Sequence, residues 1–267
     1  MTSTDSPKYT LLYHPGIPGR AEFIRLAFEA TGTPYTDLAN SASDGYATVR
    51  NTCIDPAALS SLGDNPPVLA PPALQVRGEG KGGGDLLISQ TLNILNYLGP
   101  RLGLVGEDEA DTLWVGQVVA TALDLNNEVH DTHHPIAVAD YYENQKDEAL
   151  KKTTDFRKNR LPKFLGYFER MLKWNEKQQE RQANRGMYLV GSKLTTADLV
   201  VWQVLDGLFF AFPSEMKART EDFGLLLGDF YKSVKTEKGI TGYLESERRM
   251  KYSMGIFRHY PELDRQS

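Results

Sequence analysis

A double proline, Pro71-Pro72, leading into Ala73-Leu74, constrains this chain more than any other feature. Proline has no backbone N–H and a fixed φ, so it sits at the first residue of a strand rather than inside a sheet. The segment therefore reads as a strand entered through proline. An X-Pro bond at such an entrance is a candidate for the cis form. Further on, Gln90-Thr91 opens the helical run Leu92-Asn93-Ile94-Leu95-Asn96-Tyr97-Leu98. A helix N-terminus with a hydroxyl in its first turn is a ready anion site. Together the two features describe a pocket for an extended, peptide-like ligand whose carboxylate is anchored at the helix.

The flanking sequence supplies elements to build that pocket. Tyr9-Thr10-Leu11-Leu12-Tyr13 is rich in strand formers and is stopped by His14-Pro15-Gly16-Ile17-Pro18-Gly19. Arg20 to Thr31 follows, with Phe23, Leu26, Ala27 and Ala30 at helical spacing and Gly32 as the stop. Thr33-Pro34-Tyr35-Thr36 predicts a second short strand. Residues 40 to 67 read as loop, with a short helix near Pro56-Ala57-Ala58-Leu59. Ala73 to Val76 and Leu86 to Ile88 predict a hairpin. Its tip contains Gly78, Gly80 and Gly83 in a G-x-G-x-x-G pattern. A dinucleotide fingerprint needs a helix immediately after that pattern. Here a strand follows, so the segment is read as a hairpin tip. The order strand, helix, strand, loop, strand, strand, helix is compatible with a small mixed sheet of thioredoxin type, though several α/β layouts begin this way.

Gly99-Pro100-Arg101-Leu102-Gly103 reads as the end of that helix and a linker, and the chain then changes character. Glu109 to Asp131 and Asp147 to Trp174 predict long helices, and Gly186 to Gly191 separates them from another. Leu194-Thr195-Thr196-Ala197-Asp198-Leu199 is a capping-box start, with Leu194 and Leu199 placed as a hydrophobic staple. The helix it opens, through Val200, Val201, Trp202, Val204, Leu205 and Leu208, is apolar on nearly every face and belongs in a central, buried position. Pro213 stops it.

Composition excludes several classes. The net charge of −5 comes with no strongly basic half, which argues against a nucleic-acid surface. No apolar run approaches the roughly 18 residues of a membrane helix. The single cysteine, Cys53, rules out an intrachain disulfide and has no C-x-x-C partner, so a reducing compartment and a soluble, cytosolic protein are expected. His130 and His134 share a helix face, but no H-E-x-x-H pattern occurs and Pro135 disturbs the helix, so no metal is expected. Phe209, Phe210 and Phe212 form an aromatic run that is either core or the wall of an apolar pocket.

The segment from Tyr9 to Glu22 resembles the start of the tyrosine-type glutathione transferases, in which the strand tyrosine hydrogen-bonds the glutathione sulfur. Pro72 matches the proline that is cis in that family, with Leu74 two residues later. Gln90-Thr91 matches the Gln-Ser pair that holds the γ-glutamyl end, Thr keeping the hydroxyl. Leu194 to Asp198 matches the capping box of the family's second domain. His130-Asp131-Thr132-His133-His134-Pro135-Ile136, the stretch Pro162 to Glu169 and the tail Gly255 to Leu263 resemble a microbial and fungal branch of the superfamily.

The resemblance implies an α+β thioredoxin-like N-terminal domain over residues 1–101 and an all-α C-terminal domain over residues 108–267. It implies glutathione as cosubstrate, Tyr13 as the catalytic hydroxyl, and Arg20, Pro71, Pro72, Gln90, Thr91 and Asp131 around glutathione. His14, His130, His134, Phe209 and Phe212 would line the second-substrate site. Pro71 departs from the family, whose residue at that position uses both N–H and C=O on the cysteinyl unit. The missing N–H removes one hydrogen bond, worth about 1 kcal/mol. The implied activity is attack of the thiolate on a small apolar electrophile by a cytosolic homodimer. Two alternatives share the motifs: glutathione-dependent cis–trans isomerisation of a conjugated alkene in specialised (secondary) metabolism, and a non-catalytic interaction module.

Overall fold

The computed structural model describes residues 7–55, 63–179 and 187–266. The N-terminal half runs β1 (Tyr9–Leu12), α1 (Glu22–Thr31), β2 (Tyr35–Asp37), α2 (Leu38–Ser41), α3 (Gly45–Cys53), β3 (Ala73–Val76), β4 (Leu86–Ser89) and α4 (Thr91–Leu102). The sheet order is β2-β1-β3-β4. β1 and β2 are parallel, and the other two pairings are antiparallel. This is the expected mixed sheet of thioredoxin type.

Strand alternation explains its two covered faces. Leu11, Tyr13, Leu74 and Val76 face the core shared with α1 and α4. Leu12, Ala73 and Leu87 face Val49 and Cys53 of α3 on the other side.

Two expectations need correction. The stretch read as loop from residue 40 holds part of α2 and all of α3. Only Val49 and Cys53, one turn apart, supply α3 with an apolar anchor, too little to stand out in a polar stretch. The helix expected near Pro56 falls outside the described residues. The presumed linker at Gly99-Pro100 is still helix. α4 continues through Pro100 and ends at Gly103, which takes the left-handed conformation. Pro100 has no N–H to donate to the Asn96 carbonyl, and the helix runs only two residues beyond it.

The C-terminal half is helical: α5 (Glu109–Asp131), α6 (Lys146–Asp155), α7 (Leu161–Gln179), α8 (Thr196–Ala211), α9 (Pro213–Arg219), α10 (Tyr231–Lys235) and α11 (Lys238–Leu244). α6 and α7 are joined by a π turn at Phe156–Arg160, so the long helix expected there is continuous but widened. Pro162 has no N–H to offer the carbonyl of Arg157, and Arg219 donates to that oxygen instead at 2.9 Å. α8 begins with the expected capping box between Thr195 and Asp198 and is buried along most of its length.

A buried ionic chain ties α1 to the C-terminal segments. Glu22 is fully buried and accepts from Arg25 at 2.9 Å, from Tyr243 at 2.7 Å and from Arg249. Arg249 also reaches Asp206 at 2.9 Å, and Arg25 reaches Asp37 at 2.7 Å. Burial alone would raise the Glu22 pKa, but Arg249 and Arg25 outweigh it and hold the carboxyl ionised.

Candidate active site

Sheet register gathers the residues singled out from the sequence. Leu12 pairs with Ala73, and Ala73 pairs with Ser89. Tyr13 follows the first of these, Pro72 precedes the second and Gln90 follows the third. Strands lie about 4.8 Å apart, so all three emerge along one short edge of the sheet. The Pro71–Pro72 bond is cis, as the strand entrance suggested.

Tyr13 continues the alternation that turns Leu11 toward α1, and it is only 5% exposed. Its oxygen accepts the backbone N–H of Arg20 at 2.9 Å. The single-turn 3-10 helix at Gly19–Ala21 carries that N–H. Burial pushes the phenol pKa up, and the Arg20 N–H only partly opposes it. Tyr13 therefore keeps its proton at neutral pH. With an acceptor position already filled, the O–H remains to donate to a ligand.

The turn is shaped for this contact. Gly19 has φ +51°, and a Cβ there would lie 2.2 Å from the Tyr13 oxygen. Arg25 holds the turn from below, donating to the carbonyls of Pro18 at 2.9 Å and Ile17 at 3.4 Å. His14 is half-buried, with its ring edge-on to Tyr13 at 5.2 Å, and lies 3.4 Å from the Tyr46 hydroxyl. Burial lowers its pKa.

At the other end of the edge, Gln90 has φ +71° and occupies the N-cap of α4. Thr91 follows in the first turn, and its buried hydroxyl has no hydrogen-bond partner among the described residues. A buried hydroxyl without a partner costs free energy. Beside the orphan N–H groups of a helix start, it marks a place for an acceptor from outside.

The helical half contributes a second group of side chains. The Arg20 guanidinium donates to Asn127 of α5 at 3.0 Å. One turn on, His130 meets His133 and His134, with ring centroids 4.8–5.1 Å apart across the three pairs. His133 bonds the Ile256 carbonyl at 2.9 Å and His134 the Asp140 carbonyl at 3.0 Å. A carbonyl only accepts, so each of these ring nitrogens carries the proton. Burial, then His134 and Arg20, lowers the His130 pKa to about 4. Burial lowers that of His133 to about 3, against the bond to Ile256. Asp131 is half exposed and lies 3.8 Å from His130. Among the described residues, no group of three or more His, Cys, Asp or Glu side chains is arranged to hold a metal ion.

The members of the aromatic run, left open between core and pocket wall, differ in burial. Phe212 is 2% exposed and packs on Phe156 in the core. Phe209 packs on Tyr231, which stacks on Trp202. Phe210 is 37% exposed and stacks on Tyr252, so the run divides: Phe212 is core, Phe209 is half-buried and Phe210 faces outward. Sequence reasoning also passed over His133, Asn127 and Arg258. The H-x-x-H-H spacing was a signal for the first. The other two are defined by contacts distant in sequence. Cys53 is buried on the far face of the sheet, where burial pushes its thiol up to about 11.

The fold is that of the glutathione transferases: a thioredoxin-like sheet domain followed by a helical domain. A Pi-class glutathione S-transferase of Onchocerca volvulus aligns over 89% of this chain and 92% of its own, with TM-score 0.60 and 23% identity. A sigma class enzyme of Fasciola hepatica aligns over 93% and 99%, with TM-score 0.65 and 20% identity. Residues 130–247 match the family model of the glutathione S-transferase C-terminal domain. A glutathione S-transferase of Plasmodium falciparum is 28% identical over 208 residues, covering 78% of this chain and 83% of that protein. Glutathione S-transferase P 1 of Xenopus laevis is 26% identical over 245 residues, 92% of this chain and 95% of that protein. Together these matches support a place in the glutathione transferase superfamily. The relatives named here are parasite and animal proteins, so the microbial and fungal likeness rests on the sequence motifs alone.

Proposed function

We propose that the chain is a glutathione transferase of the tyrosine type. The observation that carries this reading is the Tyr13 hydroxyl. It is buried and protonated, is held by the Arg20 N–H, and lies on the same sheet edge as Pro72 and Gln90. Tyr13 donates to the glutathione sulfur and favours its thiolate, the nucleophilic form. Lowering a thiol pKa by about two units takes roughly 2.7 kcal/mol of preferential thiolate stabilisation. A charge-assisted hydrogen bond supplies much of this.

Gln90, the Thr91 hydroxyl and the start of α4 receive the γ-glutamyl carboxylate. Pro71 and Pro72 shape the place of the cysteinyl backbone. Arg20 borders the sulfur, and Asp131 reaches toward a partner subunit's glutathione in a homodimer. His14 flanks the second substrate on the Tyr13 side, and His130 and His134 flank it from the helical domain. The thiolate attacks an electrophilic carbon of that substrate. Reversible addition to a conjugated alkene would use the same groups, and consumption of glutathione separates transfer from isomerisation. A cytosolic setting accords with the lone, buried Cys53.

The test is the pKa of the bound glutathione thiol, followed by thiolate absorbance. A value well below that of free glutathione, returning toward it in Tyr13→Phe, is the expected result. An unshifted thiol, or no glutathione binding, would reject the assignment and favour a non-catalytic module.

A further inference from the structure

Resting on the transferase reading, the arginines beside the histidine cluster bear on the nature of the second substrate. Among the described arginines that are buried or half-buried, Arg25, Arg157, Arg160, Arg219 and Arg249 each pair with a carboxylate. Arg20 and Arg258 do not. Arg20 reaches only the Asn127 amide through its side chain. Arg258 donates to the backbone carbonyls of Gly255 at 2.9 Å and Met254 at 3.4 Å. Holding a guanidinium partly out of water without a counter-charge is costly.

Both arginines converge on the histidine cluster. Asn127, which holds Arg20, lies one turn before His130. Ile256, which holds His133, lies two residues before Arg258. The positive charge of each acts on His130 and helps keep it neutral. The imidazoles thus add no charge, and the attraction for an anion comes from the two guanidiniums. Two carboxylates face the cluster. Asp131 is half exposed. Asp140 is already engaged by the Asn144 amide at 2.7 Å and the Tyr141 N–H at 2.8 Å. Arg20 and Arg258 therefore keep unspent guanidinium donors beside the histidine cluster, while Phe212 of the expected apolar wall is buried in the core.

We propose that the second substrate is an electrophile bearing a carboxylate, received by Arg258 and Arg20 beside His130. Planar guanidinium donors suit a carboxylate, and Arg258 stands on the tail of the helical domain, away from the Thr91 end of the glutathione site. The bond that forms is from the glutathione sulfur to the electrophilic carbon. The leaving group departs with its electron pair, and the carboxylate serves only as a handle.

The probes are a chloronitrobenzoate and the matching chloronitrobenzamide, which differ in charge and little in shape. Chloride leaves when the thiolate adds. Conjugation is measured with wild type, Arg258→Met and Arg258→Lys. In parallel, equilibrium binding of the two probes without glutathione, and of glutathione alone, is recorded. Wild type should prefer the acid by roughly 10- to 100-fold in kcat/KM and in binding, Arg258→Met should lose most of that preference, and Arg258→Lys should keep part of it. Equal binding of acid and amide by wild type overturns the inference. So does a preference that survives Arg258→Met, or a change in that variant confined to glutathione affinity. If glutathione fails to bind while the acid preference and its dependence on Arg258 persist, the transferase reading falls and the carboxylate site stands.

Discussion

Arg25 donates to the Pro18 carbonyl at 2.9 Å, and through that bond a buried ionic chain holds the turn that presents the Arg20 N–H to Tyr13. The same guanidinium neutralises Glu22, which also takes Tyr243 and Arg249 from the C-terminal segments. Stability and site geometry therefore share a residue. Arg25→Ala leaves Glu22 short of a partner in a dry environment, and truncating a buried pair costs about 3–5 kcal/mol. The urea midpoint should fall accordingly. Arg25→Lys keeps the charge but loses the fork that grips both Pro18 and Asp37. It should recover much of the stability while turnover stays low, which separates the two roles.

Gly19 and Gly16 form a matched pair for testing the turn. Both have positive φ, +51° and +70°, so alanine at either is strained in the backbone. Such strain costs of order 1–3 kcal/mol. Only at Gly19 does a Cβ meet Tyr13, whereas at Gly16 it meets nothing within 4 Å. Gly19→Ala should displace the phenol and lower kcat/KM by about tenfold or more, roughly 1.4 kcal/mol in the transition state. Gly16→Ala should show a comparable loss of thermal stability with far smaller loss of turnover. Equal kinetic effects would mean that the close approach of Gly19 to Tyr13 is not what sets the hydroxyl.

These positions also mark how much could be read from the chain. Tyr13, Pro72, Gln90 and Thr91 lie at element ends, where turn chemistry is local and punctuation residues expose it. α5 was legible to its boundaries because its apolar spacing is sustained, and the Thr195 and Asp198 cap because its pattern spans four residues. α3 was missed because two apolar positions carry its packing. Arg258 and Asn127 were missed for a different reason. Their roles arise from contacts such as Arg20 to Asn127, 107 positions apart, which no local pattern encodes. Phe209 and Phe212 were open to two readings because which of them is covered is a property of the assembled core.

His133 offers a stability signature in acid. Its imidazole is held neutral, with a pKa lowered to about 3 by burial. An unfolded histidine titrates near 6.5. Between those values the unfolded chain binds a proton that the folded chain refuses, so stability falls as pH drops from about 6.5 toward 3. His130, lowered to about 4, adds to the same trend. His133→Phe should be destabilised at neutral pH through the lost bond to Ile256, yet its stability should decline less steeply on acidification. Denaturant titrations at pH 7, 6 and 5 measure the difference in slope. Parallel wild-type and variant curves would show that His133 takes its proton in the folded state.

Asp198 should give the opposite slope. Its carboxylate accepts the N–H of Leu189 at 2.7 Å, and the N–H and hydroxyl of Thr195 at 2.8 and 2.9 Å. Burial is nevertheless the larger influence and raises its pKa to about 7. An unfolded aspartate titrates near 3.9. Across that window the folded chain binds a proton that the unfolded chain has released. The contribution of Asp198 is thus largest below about pH 4 and declines as pH rises toward 7. Asp198→Asn cannot titrate and places an amide donor where two Thr195 groups donate, so it should lose the cap and about 1 kcal/mol or more at acidic pH. The deficit relative to wild type should shrink as pH rises from 4 to 7. A deficit that grows over that range would mean that the three donors dominate and that the carboxylate is ionised throughout.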